Sequence, residues 1–167
     1  MTLTRRHFII TGAAFSTLSS PALADLNAAF YYRLTSESLG EGFSLDSHND
    51  TGHPLLLPSG SYSGQLWRLT PVGKGRVRLT NAYLGTGRSL DVRNDGVNDP
   101  VMLDSGNYSG QHWTLTNIGG GRYRLTNSFL EAARSLEAPR RGNAPPVMGK
   151  SAQRKSQYWR LTQLQRI

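Results

Sequence analysis

The sequence contains no cysteine. Disulfides, thiolate metal sites and a cysteine-linked lipid anchor are therefore excluded, and any stable core must be held by packing alone. Apolar runs are short, and none approaches the roughly 18 residues that a bilayer-crossing helix needs. Motifs of several enzyme classes are missing as well, including a Gly-x-Ser-x-Gly nucleophile elbow and a glycine-rich phosphate loop followed by lysine and serine. Aromatic residues make up only 9% of the chain, and tryptophan occurs three times. That scarcity makes its placement informative. Trp67, Trp113 and Trp159 are separated by 46 residues and again by 46, each with a glutamine two positions earlier, at Gln65, Gln111 and Gln157.

This spacing marks a threefold internal repeat, with copies over about 30–70, 76–116 and 122–162. An Arg-Leu-Thr triplet recurs at Arg33, Arg78 and Arg124, a Ser-Leu-acid triplet ends at Asp46, Asp91 and Glu137, and a proline recurs at Pro54, Pro100 and Pro146. Within the second copy, short apolar runs at Val77–Thr80, Ser89–Val92, Val101–Leu103 and His112–Leu115 are separated by glycine- and asparagine-rich turns. Period-two runs of this length predict strands, about four per copy and twelve in all. One copy is too small to bury a hydrophobic face by itself, so the three must share a core. An open solenoid and a three-bladed propeller are the competing closures, but propellers usually have roughly four to eight blades. Three four-stranded units around a pseudo-threefold axis make an all-β chain with a β-trefoil fold. The same period two turns each Gln and Trp inward, where the indoles fill the core and the amides satisfy turn backbone.

Residues 1–24 stand outside the repeat. Arg5-Arg6 ahead of Phe8, the diluted apolar stretch from Ile10 to Ser20 and Ala22-Leu23-Ala24 before Asp25 resemble a twin-arginine export signal. The expectation is a leader over 1–24, a single β-trefoil domain over 25–167, export to the periplasm or beyond the cell, and no membrane span after cleavage. A basic amphipathic tail is the alternative. Formal net charge is +8, and basic residues gather late, at Arg134, Arg140, Arg141, Lys150, Arg154, Lys155 and Arg160. Such a field favours anionic partners through screened long-range attraction. A solvated basic face without a partner is the other reading, and export argues against a nucleic-acid role.

The repeated Gln-x-Trp, with RLTN-x-YLG-x-GRSLDV and GNYSGQHW in the second copy, resembles the ricin B-type (QxW) β-trefoil lectin family from Phe30 to about Leu164. The resemblance implies a shallow sugar pocket in each copy. There an acid after the second strand accepts hydrogen bonds from two sugar hydroxyls, an aromatic stacks on the sugar and an Asn beside the Gln adds a bond. The acids are then Asp46, Asp91 and Glu137; an ionised carboxylate suits the task because it accepts strongly from vicinal hydroxyls. The chain departs from the pattern, since the aromatic position falls near Pro58, Asp104 and Lys150 and the Asn is Gly64, Gly110 and Ser156. Tyr62 and Tyr108, three residues before Gln65 and Gln111, are the expected substitutes, while the third copy has Arg154 there. Candidate carbohydrate ligands are Asp91, Asn94, Asn107, Tyr108 and Gln111 in the second copy, with Arg93 beside them. In the first copy they are Asp46, Asn49, Tyr62 and Gln65, with His48.

A competing reading makes Asp91 and Asn94 caps of the Asn94-Asp95-Gly96 turn. Asp95, Asp99 and Asp104 do not have calcium-loop spacing, and the histidines lack the spacing of metal ligands, so no metal or cofactor is expected. Catalysis is not expected either, because three acids related by pseudo-threefold symmetry would stand too far apart for glycoside hydrolysis. The leading expectation is a non-catalytic module whose partner is a carbohydrate or glycoconjugate on a cell wall or surface. The alternative is an interaction or inhibitor module that docks an acidic periplasmic protein.

Overall fold

The computed structural model describes residues 26–48 and 52–167. The expected leader over 1–24 and the candidate ligand Asn49 lie outside the described residues. The first repeat forms β1 (Phe30–Ser36), β2 (Phe43–Asp46), β3 (Leu55–Pro58) and β4 (Trp67–Gly73). The second forms β5 (Arg76–Asn81), β6 (Arg88–Val92), β7 (Pro100–Asp104) and β8 (Trp113–Asn117), and the third β9 (Arg122–Asn127), β10 (Arg134–Glu137), β11 (Val147–Lys150) and β12 (Trp159–Arg166). Among the described residues no helix is long and apolar enough to cross a membrane.

All pairing is antiparallel, and the outer strands of the repeats close into a six-stranded ring in the order β1, β4, β5, β8, β9, β12 and back to β1. Closure leaves no exposed ring edge to template aggregation. The inner strands form three hairpins, β2–β3, β6–β7 and β10–β11, of which the first is joined to the ring by pairing of Thr35 on β1 with Ser44 on β2 and the other two are separate two-stranded sheets. Their loops interlock: Met102 N donates to Gly52 O, and Leu56 N donates to Ala144 O at 3.0 Å. This is the β-trefoil that the repeat period predicts.

The core is built in threes. Trp67, Trp113 and Trp159 are fully buried together with Leu34, Leu79 and Leu125 from the ring and Leu45, Leu90 and Leu136 from the hairpins. At roughly 25 cal/mol per Å² and about 150–250 Å² per large aromatic side chain, each indole contributes on the order of 5 kcal/mol. Each also satisfies its own N–H by donating across to the hairpin, Trp67 to Leu45 O, Trp113 to Leu90 O and Trp159 to Leu136 O, all at 2.8 Å. The indoles therefore fill the centre and fix the hairpins on the ring, so that Asp46, Asp91 and Glu137, each one residue beyond the bonded carbonyl, take equivalent places.

One local expectation differs. The Gln of each pair lies in a 3-10 turn, Ser63–Gln65, Ser109–Gln111 and Lys155–Gln157, and the strand begins at the Trp. Gln and Trp are both buried, as period two suggested, but by the turn rather than by strand alternation.

Candidate functional site

The Gln amide is the hub of each repeat. Gln111 Nε2 donates to Asp91 Oδ2 and to Asp104 O, both at 2.8 Å, while Oε1 accepts from Gly106 N at 2.9 Å. Gln65 repeats this with Asp46 Oδ2 at 2.9 Å, Pro58 O at 2.9 Å and Gly60 N at 3.0 Å. Three of the amide's four hydrogen-bonding positions are thus used, and they join the acid on the second strand, the end of the third strand and the loop beyond. An amide fits here where a carboxylate would not, because one end must donate to an acid and the other must accept from backbone.

In the second repeat this leaves half of a carboxylate available. Asp91 is buried, its Oδ2 is held by Gln111, and no donor among the described residues engages Oδ1. Oδ1 lies directly over Gly110, where a Cβ would run into it, so glycine is required for close approach and not for chain flexibility. The carboxylate opens into a cavity of about 590 Å³, lined among others by Arg93, Asn94, Leu103, Tyr108 and Phe129. Asp91 does not cap the neighbouring turn. That work falls to Asp95, whose Oδ1 accepts from Val97 N at 3.1 Å and Asn98 N at 2.9 Å, bonds that hold its carboxyl below the usual range, with that from Asn98 the main cause.

The first repeat has the same plan with one difference. Gly64 lies under Asp46 Oδ1 as Gly110 lies under Asp91, and the cavity is about 550 Å³, lined by Asp46, His48, Leu57, Tyr62 and Tyr83 among others. Here His48 Nδ1 donates to Asp46 Oδ1 at 2.9 Å, so a ligand hydroxyl would share that oxygen with an imidazole.

Loop geometry fixes the tyrosines. Tyr62 and Tyr108 are 60% and 61% exposed, yet each ring lies against a glycine, Gly60 or Gly106, at which any Cβ would strike it. Those loops are in turn tied to the ring of strands: Arg33 Nη2 donates to Gly60 O at 2.7 Å, and Arg78 Nη2 donates to Gly106 O. The recurrent Arg of the Arg-Leu-Thr triplet is therefore a loop anchor. In the third repeat the anchored carbonyl belongs to Ala152, 2.9 Å from Arg124 Nη2. An alanine at this place has no room for a ring, and the tyrosine position is Arg154.

The third site is filled from within. Glu137 leans over Gly149, where the other repeats carry Leu57 and Leu103. Its carboxylate accepts from Gln157 Nε2 and Ser156 Oγ, both at 2.9 Å, and from Arg154 Nη1 at 3.4 Å. Ser156 replaces the required glycine, and the longer acid has moved aside from it.

The structure therefore brings Asp91, Asn94 and Tyr108 around one cavity and Asp46, Tyr62 and Gln65 around another, with Gln65 and Gln111 fully buried behind their acids as positioning groups. Asn107 is exposed and does not line its repeat's cavity. Sequence reasoning missed Tyr83 and Phe129. Each comes from the first loop of the following repeat and walls the cavity of the one before. Asn81 fixes this junction by donating from Nδ2 to Ser47 O at 2.8 Å and Gly64 O at 3.0 Å while accepting from Leu84 N at 2.9 Å. The signal was present as a column of the repeat, Ser38, Tyr83 and Phe129, whose aromatic members fall at the two open sites.

Residues 63–144 match the family model described as ricin-type beta-trefoil lectin domain-like. No curated protein matches the sequence. Among solved structures, the designed threefold symmetric protein ThreeFoil is 25% identical with TM-score 0.70, over 80% of this chain and 99% of that one. SeviL, solved bound to asialo-GM1 saccharide, is 17% identical with TM-score 0.62, over 80% of this chain and 97% of that one. A mosquitocidal holotoxin is 14% identical with TM-score 0.72, and although 84% of this chain is covered, it spans only 18% of the toxin. The last two identities speak to the fold alone.

Proposed function

We propose that the protein is a non-catalytic carbohydrate-binding module that acts outside the cytoplasm on cell-wall or surface glycans through two loop pockets, at Asp91 and Asp46. The observation that carries this reading is the open Oδ1 of Asp91, poised over Gly110 by the buried Gln111 and flanked by Tyr108 and Phe129. A fixed carboxylate oxygen beside apolar ring surface matches the two faces of a pyranose, hydroxyls on one side and C–H groups on the other. The partial match to a lectin-like family model and the saccharide bound to SeviL support it. The twin-arginine-like leader supports an extracytoplasmic site of action. Each shallow pocket would bind weakly, and two on one rigid body would raise avidity on a polymer by roughly 10²–10⁴.

A glycan array probed with the purified protein tests the reading. Binding that falls about tenfold or more in both Asp91→Asn and Asp46→Asn is expected, since each loses an ionised acceptor. Silence across the array, together with capture of a protein partner, would replace it with the interaction-module reading.

A further inference from the structure

Net charge is distributed unequally among three otherwise equivalent repeats. Residues 31–70 carry two basic and four acidic side chains, residues 76–116 four and four, and residues 122–162 nine and two. The repeat whose pocket is closed by Glu137 is the one that carries the excess.

The hairpin of that repeat shows that the charge is not balanced locally. In the second repeat Arg88 and Asp104 are directly opposite on β6 and β7, and Arg88 Nη1 reaches Asp104 Oδ1 at 3.1 Å while Nη2 donates to Met102 O at 2.8 Å. In the third, Arg134 keeps the equivalent anchor, Nη1 to Met148 O at 2.9 Å, but the residue opposite is Lys150. Directly opposed like charges destabilise a strand pair. Of the two acids in this repeat, Glu137 is already held by Gln157, Ser156 and Arg154, and Glu131 has no ion pair among the described residues. At the far end of the hairpin, Arg140 and Arg141 are exposed on a loop docked against the first repeat, with Asn143 N donating to Leu56 O at 2.7 Å. At about 3.3 Å per residue the strand between the two ends extends roughly 13 Å, longer than a single charged group requires.

We propose that the third repeat binds the acidic groups of a polysaccharide through Arg134, Lys150, Arg140 and Arg141, while the pockets of the first two repeats take its sugar rings. This rests on the carbohydrate reading above and assigns its substrate class, a glycan bearing carboxylates or sulfates. Polysaccharide is favoured over other polyanions because the basic hairpin shares one rigid body with two cavities of sugar size.

The test measures binding of the purified protein to immobilised polygalacturonate and dextran sulfate, with neutral dextran, duplex DNA and phosphatidylglycerol vesicles alongside, as salt is raised from about 0.05 to 0.3 M. The informative variant is Lys150→Asp, which installs in β10–β11 the ion pair already present in β6–β7. Its thermal midpoint should equal or exceed that of the parent, while affinity for the acidic polymers falls about tenfold and the salt dependence flattens. Response to polygalacturonate alone assigns uronate, and response to dextran sulfate alone assigns sulfate ester. The paired Asp46→Asn/Asp91→Asn variant should weaken polymer binding and leave the salt slope unchanged; if it binds as the parent does, the pocket reading fails and the charge assignment stands. Parent-like affinity and salt slope in Lys150→Asp would overturn the proposal, as would DNA or vesicles bound as tightly as both acidic polymers.

Discussion

Gln111 lies wholly buried beneath Asp91 and donates to one of its two carboxylate oxygens at 2.8 Å, leaving the other directed at solvent across Gly110. The same amide closes the loop that carries Tyr108, through Gly106 N and Asp104 O. A single side chain thus sets the position of an acceptor and of a ring that line one cavity, and the Trp two residues later fixes the hairpin beneath them.

Gln111→Leu keeps the apolar volume and deletes the hub. A carboxylate oxygen, a carbonyl and an N–H lose their partners, and incomplete resolvation should cost about 2–4 kcal/mol in urea unfolding. Gln111→Glu should cost at least as much at neutral pH, because it faces one buried carboxylate with another. Equal midpoints for parent and Gln111→Leu would show that the hub is dispensable.

Gly110→Ala tests the close approach. The added methyl meets Asp91 Oδ1, so either the carboxylate or the loop must shift, at about 1–3 kcal/mol. Titration calorimetry should then show the loss of one sugar site and retention of the other, and Gly64→Ala should remove the complementary site. The third repeat shows the natural accommodation: Ser156 stands there and the acid is lengthened to Glu137, which bonds the serine instead of opening outward.

His112 bears on pH. Its Nε2 is buried without a hydrogen-bond partner among the described residues, and burial first, then the nearby Arg76 and Arg78, push its pKa below the ordinary value of about 6.5. The unfolded chain therefore takes up the proton at a higher pH than the native state does. This group's stabilisation is fully present above about pH 6.5 and is lost as pH falls through the lower folded value. The first repeat has Leu66 at this position, and His112→Leu should flatten the decline in thermal midpoint below about pH 6.5 relative to the parent. Parallel curves for the two proteins would exclude His112 as the source.

Much of this arrangement was legible in the sequence because repetition turns one ambiguous pattern into three aligned ones. The Trp period identified the fold, the Ser-Leu-acid triplet located Asp46 and Asp91, and the exchange of Tyr for Arg154 marked the third site as different. What could not be read was contact across repeat boundaries. Tyr83 belongs to the second repeat by sequence and to the first by its place in space, and only closure of the ring, with Asn81 bonding Gly64 O and Ser47 O, brings it there. The packing of Tyr62 on Gly60 was hidden for a similar reason, since a glycine in a loop reads as a turn former until the ring above it is located.

That cross-repeat wall supplies the most discriminating test of pocket geometry. Tyr83 is 54% exposed and lines the first cavity, so its truncation should change stability by no more than about 0.5 kcal/mol. Loss of one ring–sugar contact is worth about 1 kcal/mol, or roughly a fivefold rise in Kd. Tyr83→Ala should therefore weaken the first site about fivefold and leave the Asp91 site as it was, whereas Tyr83→Phe should retain binding if stacking, and not the hydroxyl, is what the ring provides. A ligand-bound structure would show the sugar between Tyr83 and Tyr62. A sugar bound to Asp46 that touches neither ring would mean that the wall shapes the cavity without contributing to recognition.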